Sequence, residues 1–146
     1  MIPNYVVIHH SATADSETVS WQAIRRYHMN DLRWSDVGYH FGLERIDNRY
    51  EVLLGRMPDR AGAHCKQQSM NFKSLGMCFV GNFDFAPPDA AQWELGVRLC
   101  ASICNVLNLD VSHVVGHRDY ASYKTCPGRL FDMGQFRSDI LLEMKR

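Results

Sequence analysis

Apolar and polar positions alternate along this chain in a way that assigns most of its elements. "NYVVIHH" is short, apolar and rich in β-branched residues, which predicts a buried strand ending at His9. "SATADSETVS" follows as a polar loop. "VSWQAIRRYHMN" then sets Trp21, Ile24 and Tyr27 or His28 at helical spacing, with Arg25 and Arg26 facing outward. "VGYHFGLERI" and "RYEVLL" flank Asp47-Asn48 and read as a hairpin with a tight turn. "MPDRAGAHCKQQSMNFK" mixes proline, glycine and scattered polar residues, which predicts a long surface loop of a kind that often carries function. "SLGMCFVGNF" is a second buried strand. Beyond Pro87-Pro88-Asp89, Trp93, Val97, Cys100, Ile103, Cys104 and Leu107 form one helical stripe that ends near Asn108. "VSHVVGH" predicts a strand ending at His117. Asp132, with Gln135 three residues on, predicts a capping box that opens the closing helix "MGQFRSDILLEMKR".

The resulting order is β-α-β-β-β-α-β-α, with no internal repeat and no linker composition. That is an α/β fold: a single domain over residues 1–146, with a central mixed β-sheet flanked by helices. His9 and His117 each stand where a buried strand runs into a polar loop, a common position for sites in open α/β sheets.

Composition narrows the function classes. A chain of 146 residues with 46% hydrophobic content can bury an ordinary core. Sixteen basic and sixteen acidic side chains cancel. This balance removes the electrostatic argument for non-specific binding to nucleic acid or to an anionic membrane. "MIPNYVVIHHSAT" has no basic n-region and no long apolar core, so no signal peptide is expected and synthesis in the cytoplasm is. No apolar run approaches the roughly 18 residues that a membrane span needs. Five cysteines without framework spacing favour reduced thiols over a disulfide scaffold, and Cys100 and Cys104 read as core.

The chemistry concentrates in "GHRDYASYKTCPG", where His117, Lys124 and Cys126 share one polar segment. With His9 they supply two imidazoles and a thiolate. This is the donor set of a catalytic zinc site, three protein ligands with the fourth tetrahedral position left for water. Such a water has a pKa near about 7 and can attack a carbonyl, with Lys124 beside the developing oxyanion. From the residues alone, blander readings stay open. His9 or His10 can be a satisfied core histidine, Cys126 a small buried thiol and Lys124 a solvated charge. Cys126 as a nucleophile with His117 as base is the second enzymatic reading. It is disfavoured because Pro127 follows at once and no helix N-terminus can lower the thiol pKa. His64 in "AGAHCKQQ" either lines a site or lies on the surface. Tyr39 in "DVGYHF" alternates with His40 across a strand.

Four blocks carry a resemblance: "VVIHHSAT", "WSDVGYHFGLERIDNRYEVLLGR", "GAHCKQQSMNFKSLGMCFVGNFD" and "VVGHRDYASYKTCPG". In this order, from about residue 5 to about residue 130, they resemble the type 2 N-acetylmuramoyl-L-alanine amidases. These are zinc enzymes that share their fold with the peptidoglycan recognition proteins, and the likeness is greatest to short phage amidases that serve as endolysins. The resemblance implies Zn2+ held by His9, His117 and Cys126, with Tyr39 beside the metal water and Lys124 stabilising the tetrahedral intermediate. It places His64 and Asn71 along the groove as substrate-binding residues and leaves His10 structural. Some relatives carry a glutamate in the strand that here reads "SLGMCFVG". Cys78 lies near that place, so the base role falls to Tyr39 or to the metal water itself. The implied reaction is hydrolysis of the amide between the muramoyl lactyl group and L-alanine of the stem peptide. The implied partner is peptidoglycan or a muropeptide, met by a monomer with no separate wall-binding domain and acting at the cell wall after release. Three alternatives remain: a non-catalytic peptidoglycan-binding module, a cytoplasmic amidase of muropeptide recycling, and a structural zinc whose shell His64 closes.

Overall fold

A computed structural model describes residues 1–13 and 20–146, so the middle of the polar segment after the first strand lies outside the described residues. The elements are β1 (Tyr5–His10), α1 (Trp21–Arg26), β2 (Phe41–Ile46), β3 (Arg49–Leu54), β4 (Ser74–Phe79), α2 (Ala90–Leu107), β5 (Val114–Gly116) and α3 (Met133–Glu143). Their order is the one the hydrophobic pattern predicts. The five strands form one sheet in the order β3-β2-β4-β1-β5. β1 runs parallel to both of its neighbours and β2 runs parallel to β4, while β2 and β3 form the antiparallel hairpin. Asp47 takes the left-handed conformation in its turn, with φ 54°.

The two-residue period of the strands sorts their side chains onto two faces. Val6, Ile8, Leu43, Met77 and Phe79, all fully buried, meet α2 and α3 on one face. There the rings of Phe79, Phe131, Phe136 and Trp93 pack with centroids 4.9–5.8 Å apart, mostly edge to face. α2 starts at Asp89, whose carboxylate accepts from the Ala91 N–H at 2.8 Å, and stops at Asn108 in the left-handed region. Of its predicted stripe, Val97, Cys100 and Cys104 are buried, and Trp93, Ile103 and Leu107 are half-buried at the margin. Gln92 is buried as well, and its amide donates to the carbonyls of Leu43 and Val80 where the pairing of β2 with β4 ends. The opposite face carries Val7, His9, Gly76, Cys78 and Gly42, with His9 in register with Cys78.

Local details depart from the sequence reading. β1 continues one residue further, through His10. β5 is only three residues long, because the Asp110 carboxylate captures the Ser112 N–H at 2.8 Å and turns Val111–His113 into a 3-10 segment. His117 therefore opens a second 3-10 turn instead of ending a strand. Asp132 does cap α3, accepting from the Gln135 N–H at 2.9 Å, but the Gln135 amide reaches forward to Asp139 at 2.7 Å, so only half of the expected box forms. After α1, whose Trp21 N–H donates to the buried Glu44 carboxylate, the chain widens into a π-helical turn over Tyr27–Asp31. That turn buries His28 and leaves Tyr27 exposed. The long segment before β4 is not simply surface loop. Met70 is fully buried, and Gln67–Phe72 forms an irregular 3-10 segment with Gln68 and Ser69 left-handed. Among the described residues no helix is long and apolar enough to cross a membrane.

Candidate metal centre and groove

Three places in the chain converge on the polar face of the sheet. β1 delivers His9, its ring pointing away from α2, while the alternation turns His10 to the other side. There His10 Nδ1 accepts the Phe83 N–H at 3.1 Å, which fits the structural role expected of it. His117 follows β5, where the Asp119 carboxylate accepts the Gly116 N–H at 2.8 Å and starts the turn. The loop to Cys126 is stitched by Arg118. Its backbone N–H donates to the Cys126 carbonyl at 2.8 Å, and its guanidinium donates to the carbonyls of Gly128 at 2.6 Å and Phe131 at 3.0 Å. Asp84 holds the loop from outside, accepting from Thr125 Oγ1 and the Arg129 N–H, both at 2.8 Å.

Ligand atoms of His9, His117 and Cys126 lie within 4.8 Å of one another, with His9 Nδ1 3.6 Å from Cys126 Sγ. A tetrahedral zinc ion with bonds of roughly 2.0–2.3 Å spaces its donor atoms roughly 3.3–3.8 Å apart. The donors present therefore fit zinc in type, and the His9–Cys126 spacing of 3.6 Å falls in that range. Burial, then the neighbouring His64 and His117, holds His9 well below its ordinary pKa, and burial followed by Lys124 lowers His117 to about 4. Both rings are neutral at pH 7. Burial pushes the Cys126 thiol up to about 11, although the His10 backbone N–H, Lys124 and Arg118 pull it the other way. A thiol held this high is the opposite of a poised free nucleophile, which counts against the cysteine-nucleophile reading.

Tyr39 stands just ahead of β2, its ring 5.1 Å from the His9 ring. Burial and then the Cys78 and Cys126 sulfurs raise its phenol well above 10, so it keeps its proton. Cys78, beneath it, is likewise raised by burial and hydrogen-bonds the Tyr39 hydroxyl. Lys124 is exposed on the rim, its ammonium 5.8 Å from the Tyr123 ring centroid. A cleft of about 510 Å³ opens over these groups, lined also by His28, Trp34, Asp84 and Thr125. It continues into a second cleft of about 440 Å³ bordered by Lys66, Gln67, Asn71 and Tyr123. Asp84 is the one carboxylate on the first cleft among the described residues, and its oxygens are committed to Thr125 and Arg129.

His64 lines both clefts but stands outside the three-residue ligand group. Its Nδ1 is 3.0 Å from Nε2 of His9, the nitrogen that faces away from Cys126. His64 therefore stands apart from the three-donor group, which counts against it as a fourth ligand. Asn71 borders the second cleft, and its side-chain oxygen accepts the N–H groups of His64 and Cys65 at 2.8 Å each. His28 and Trp34 escaped the sequence reading as groove residues. His28 reaches the cleft through the π-helical turn, and a single sequence carries no mark of such a turn.

Residues 1–129 match the family model for N-acetylmuramoyl-L-alanine amidases. The chain belongs to that family. The amidase is 34% identical over 131 residues to an endolysin of Klebsiella phage KP32, spanning 88% of this chain and 81% of that one. It is 33% identical over 131 residues to peptidoglycan-recognition protein SC2 of Drosophila melanogaster, spanning 86% of this chain and 68% of that one. Among solved structures, the N-acetylmuramoyl-L-alanine amidase LysC from Clostridium intestinale URNW has the same fold. Its TM-score is 0.82 at 24% identity, over 96% of this chain and 86% of that one.

Proposed function

We propose that this amidase is zinc-dependent and cleaves the bond between the muramoyl lactyl carbonyl and L-alanine of the peptidoglycan stem peptide. The observation that carries the reading is the convergence of His9, His117 and Cys126 under an open cleft. Zinc held by these three residues would polarise the scissile carbonyl and make water nucleophilic at neutral pH. The chain's own groups do the rest. The Tyr39 phenol, protonated at working pH, orients the reacting water and carbonyl by hydrogen bonding. Lys124 sets a cation at the mouth of the cleft where negative charge develops on the carbonyl oxygen. His64 and Asn71 form the wall along which the stem peptide lies, with Trp34 and Tyr123 as its aromatic surfaces.

Similarity to a phage endolysin supports a lytic role, with action at the cell wall after release. Similarity to a peptidoglycan-recognition protein favours a second reading, a module that binds wall fragments without cutting. The presence of Cys126, which completes the three-donor group, and of Lys124 on the rim of the cleft supports the first. The test is mass spectrometry of purified wall fragments after incubation with the protein, with and without a zinc chelator. The expected result is free stem peptide beginning at L-alanine, lost on chelation and restored by zinc. Intact muropeptide still bound to zinc-loaded protein would overturn the catalytic reading in favour of recognition.

A further inference from the structure

The hydrogen bonds behind His9 have a direction. The Ser74 carbonyl, 3.4 Å from His64 Nε2, can only accept, so the ring hydrogen of His64 sits on Nε2. Nδ1 of the neutral His64 ring is then an acceptor, and the atom facing it at 3.0 Å, His9 Nε2, must be the donor. With its hydrogen on Nε2, His9 carries its lone pair on Nδ1, the atom 3.6 Å from Cys126 Sγ. We propose that His64 is a positioning residue, which fixes the tautomer and ring angle of His9 so that Nδ1 is presented to the metal. This rests on the zinc reading above.

The surroundings of His64 are built for that job. Asn71 clamps its backbone N–H. A β-carbon at Gly62 or at Gly76 would run into its ring, so both glycines leave the space it fills. His40 braces it from below, with ring centroids 5.7 Å apart. His40 is itself fixed, accepting the Gly76 N–H on Nδ1 at 3.0 Å and donating from Nε2 to the Arg60 carbonyl at 2.9 Å. Both nitrogens of His64 are used inside the protein, so what it contributes to the groove is shape. Partners of this kind set the affinity of a metal site by about 10–100-fold.

The test measures zinc affinity by chelator competition for wild type, His64→Phe and His64→Gln. It is paired with nitrogen NMR of the metal-free proteins to read the His9 tautomer, and neither readout depends on turnover. His64→Phe should keep its far-UV circular dichroism, bind zinc about 10–100-fold more weakly and lose the single tautomer. In His64→Gln the amide oxygen can accept from His9 and the amide nitrogen can donate to Ser74, so most of the affinity should return. Wild-type His9 with its hydrogen on Nδ1, or equal zinc affinity in all three proteins, would overturn the proposal. Should His64→Phe not fold, the wild-type tautomer and the affinity of His64→Gln decide it. A wild-type protein with His9 in the Nε2–H form but no zinc binding would leave the hydrogen-bond assignment standing and overturn the zinc reading beneath it.

Discussion

The two faces of the one sheet are made by neighbouring residues and obey different rules. Ile8 and Phe79 turn to the helices and join the apolar core, where volume and packing decide the free energy. His9 and Cys78, the next residue and the one before, turn to the cleft. There the neighbours are imidazoles, a phenol and a thiol, and glycines at 42, 62 and 76 make room for rings from elsewhere in the chain. On the first face a substitution is felt as lost burial. On the second it is felt as a lost partner. Stability and chemistry are thereby separated across the thickness of a single strand.

Substitutions can break that separation or sharpen it. Cys126→Ser removes the soft ligand and should abolish release of stem peptide, while the urea midpoint of the metal-free protein barely moves, since Cys126 is only half-buried. Phe79→Ala on the opposite face should destabilise by about 3–5 kcal/mol in urea unfolding. The fraction that stays folded should still bind one zinc ion. Lys124→Ala should lower kcat by about 10²–10³-fold with KM little changed, read from initial rates on a muropeptide; an effect on KM alone would move Lys124 from catalysis to binding.

Acidity tests the polar side. Burial lowers the pKa of both His28 and His40 below 6.5 in the folded protein. Below about 6.5 the unfolded chain takes up protons that these folded sites refuse, so stability falls as pH drops toward the folded values, by at most about 1.4 kcal/mol per pH unit for each. Urea midpoints between pH 7 and pH 5, compared with those of a His28→Gln/His40→Gln double variant, check this, since His9 and His117 add slope of the same sign; an unchanged slope in the variant would mean that both rings are solvated. The smallest effect is expected at the sheet edge, where Arg49 pairs with Glu51 and is largely exposed. Arg49→Ala should shift stability by less than about 1 kcal/mol.

What the sequence disclosed follows the same division. Strand alternation and helix spacing report burial, and they located every strand and helix of the core face as well as the strand that carries His9. The polar face was legible from the residues in the compact segment from His117 to Cys126 and at the strand end at His9, and through the resemblance at Tyr39, His64 and Asn71. His28 was hidden because a π-helical turn shifts the register by one residue without changing composition. The clamp that Asn71 forms on the loop was hidden because a side-chain oxygen shared by two backbone amides leaves no periodic trace. Asp110 and Gln135 found partners other than those the pattern implied, which shortened β5 and halved a capping box.

β1 precedes the other four strands in the chain, yet it sits between β4 and β5, which are made much later. Until residues 74–79 and 114–116 exist, residues 5–10 have no sheet to join, and His9 has neither His117 nor Cys126 to face. The contacts that complete the cleft are therefore among the longest in the chain, of the kind that close late in folding. A chain arrested partway on the ribosome carries His9 but not the cleft around it. Assembly of the sheet and assembly of the cleft are thus one event.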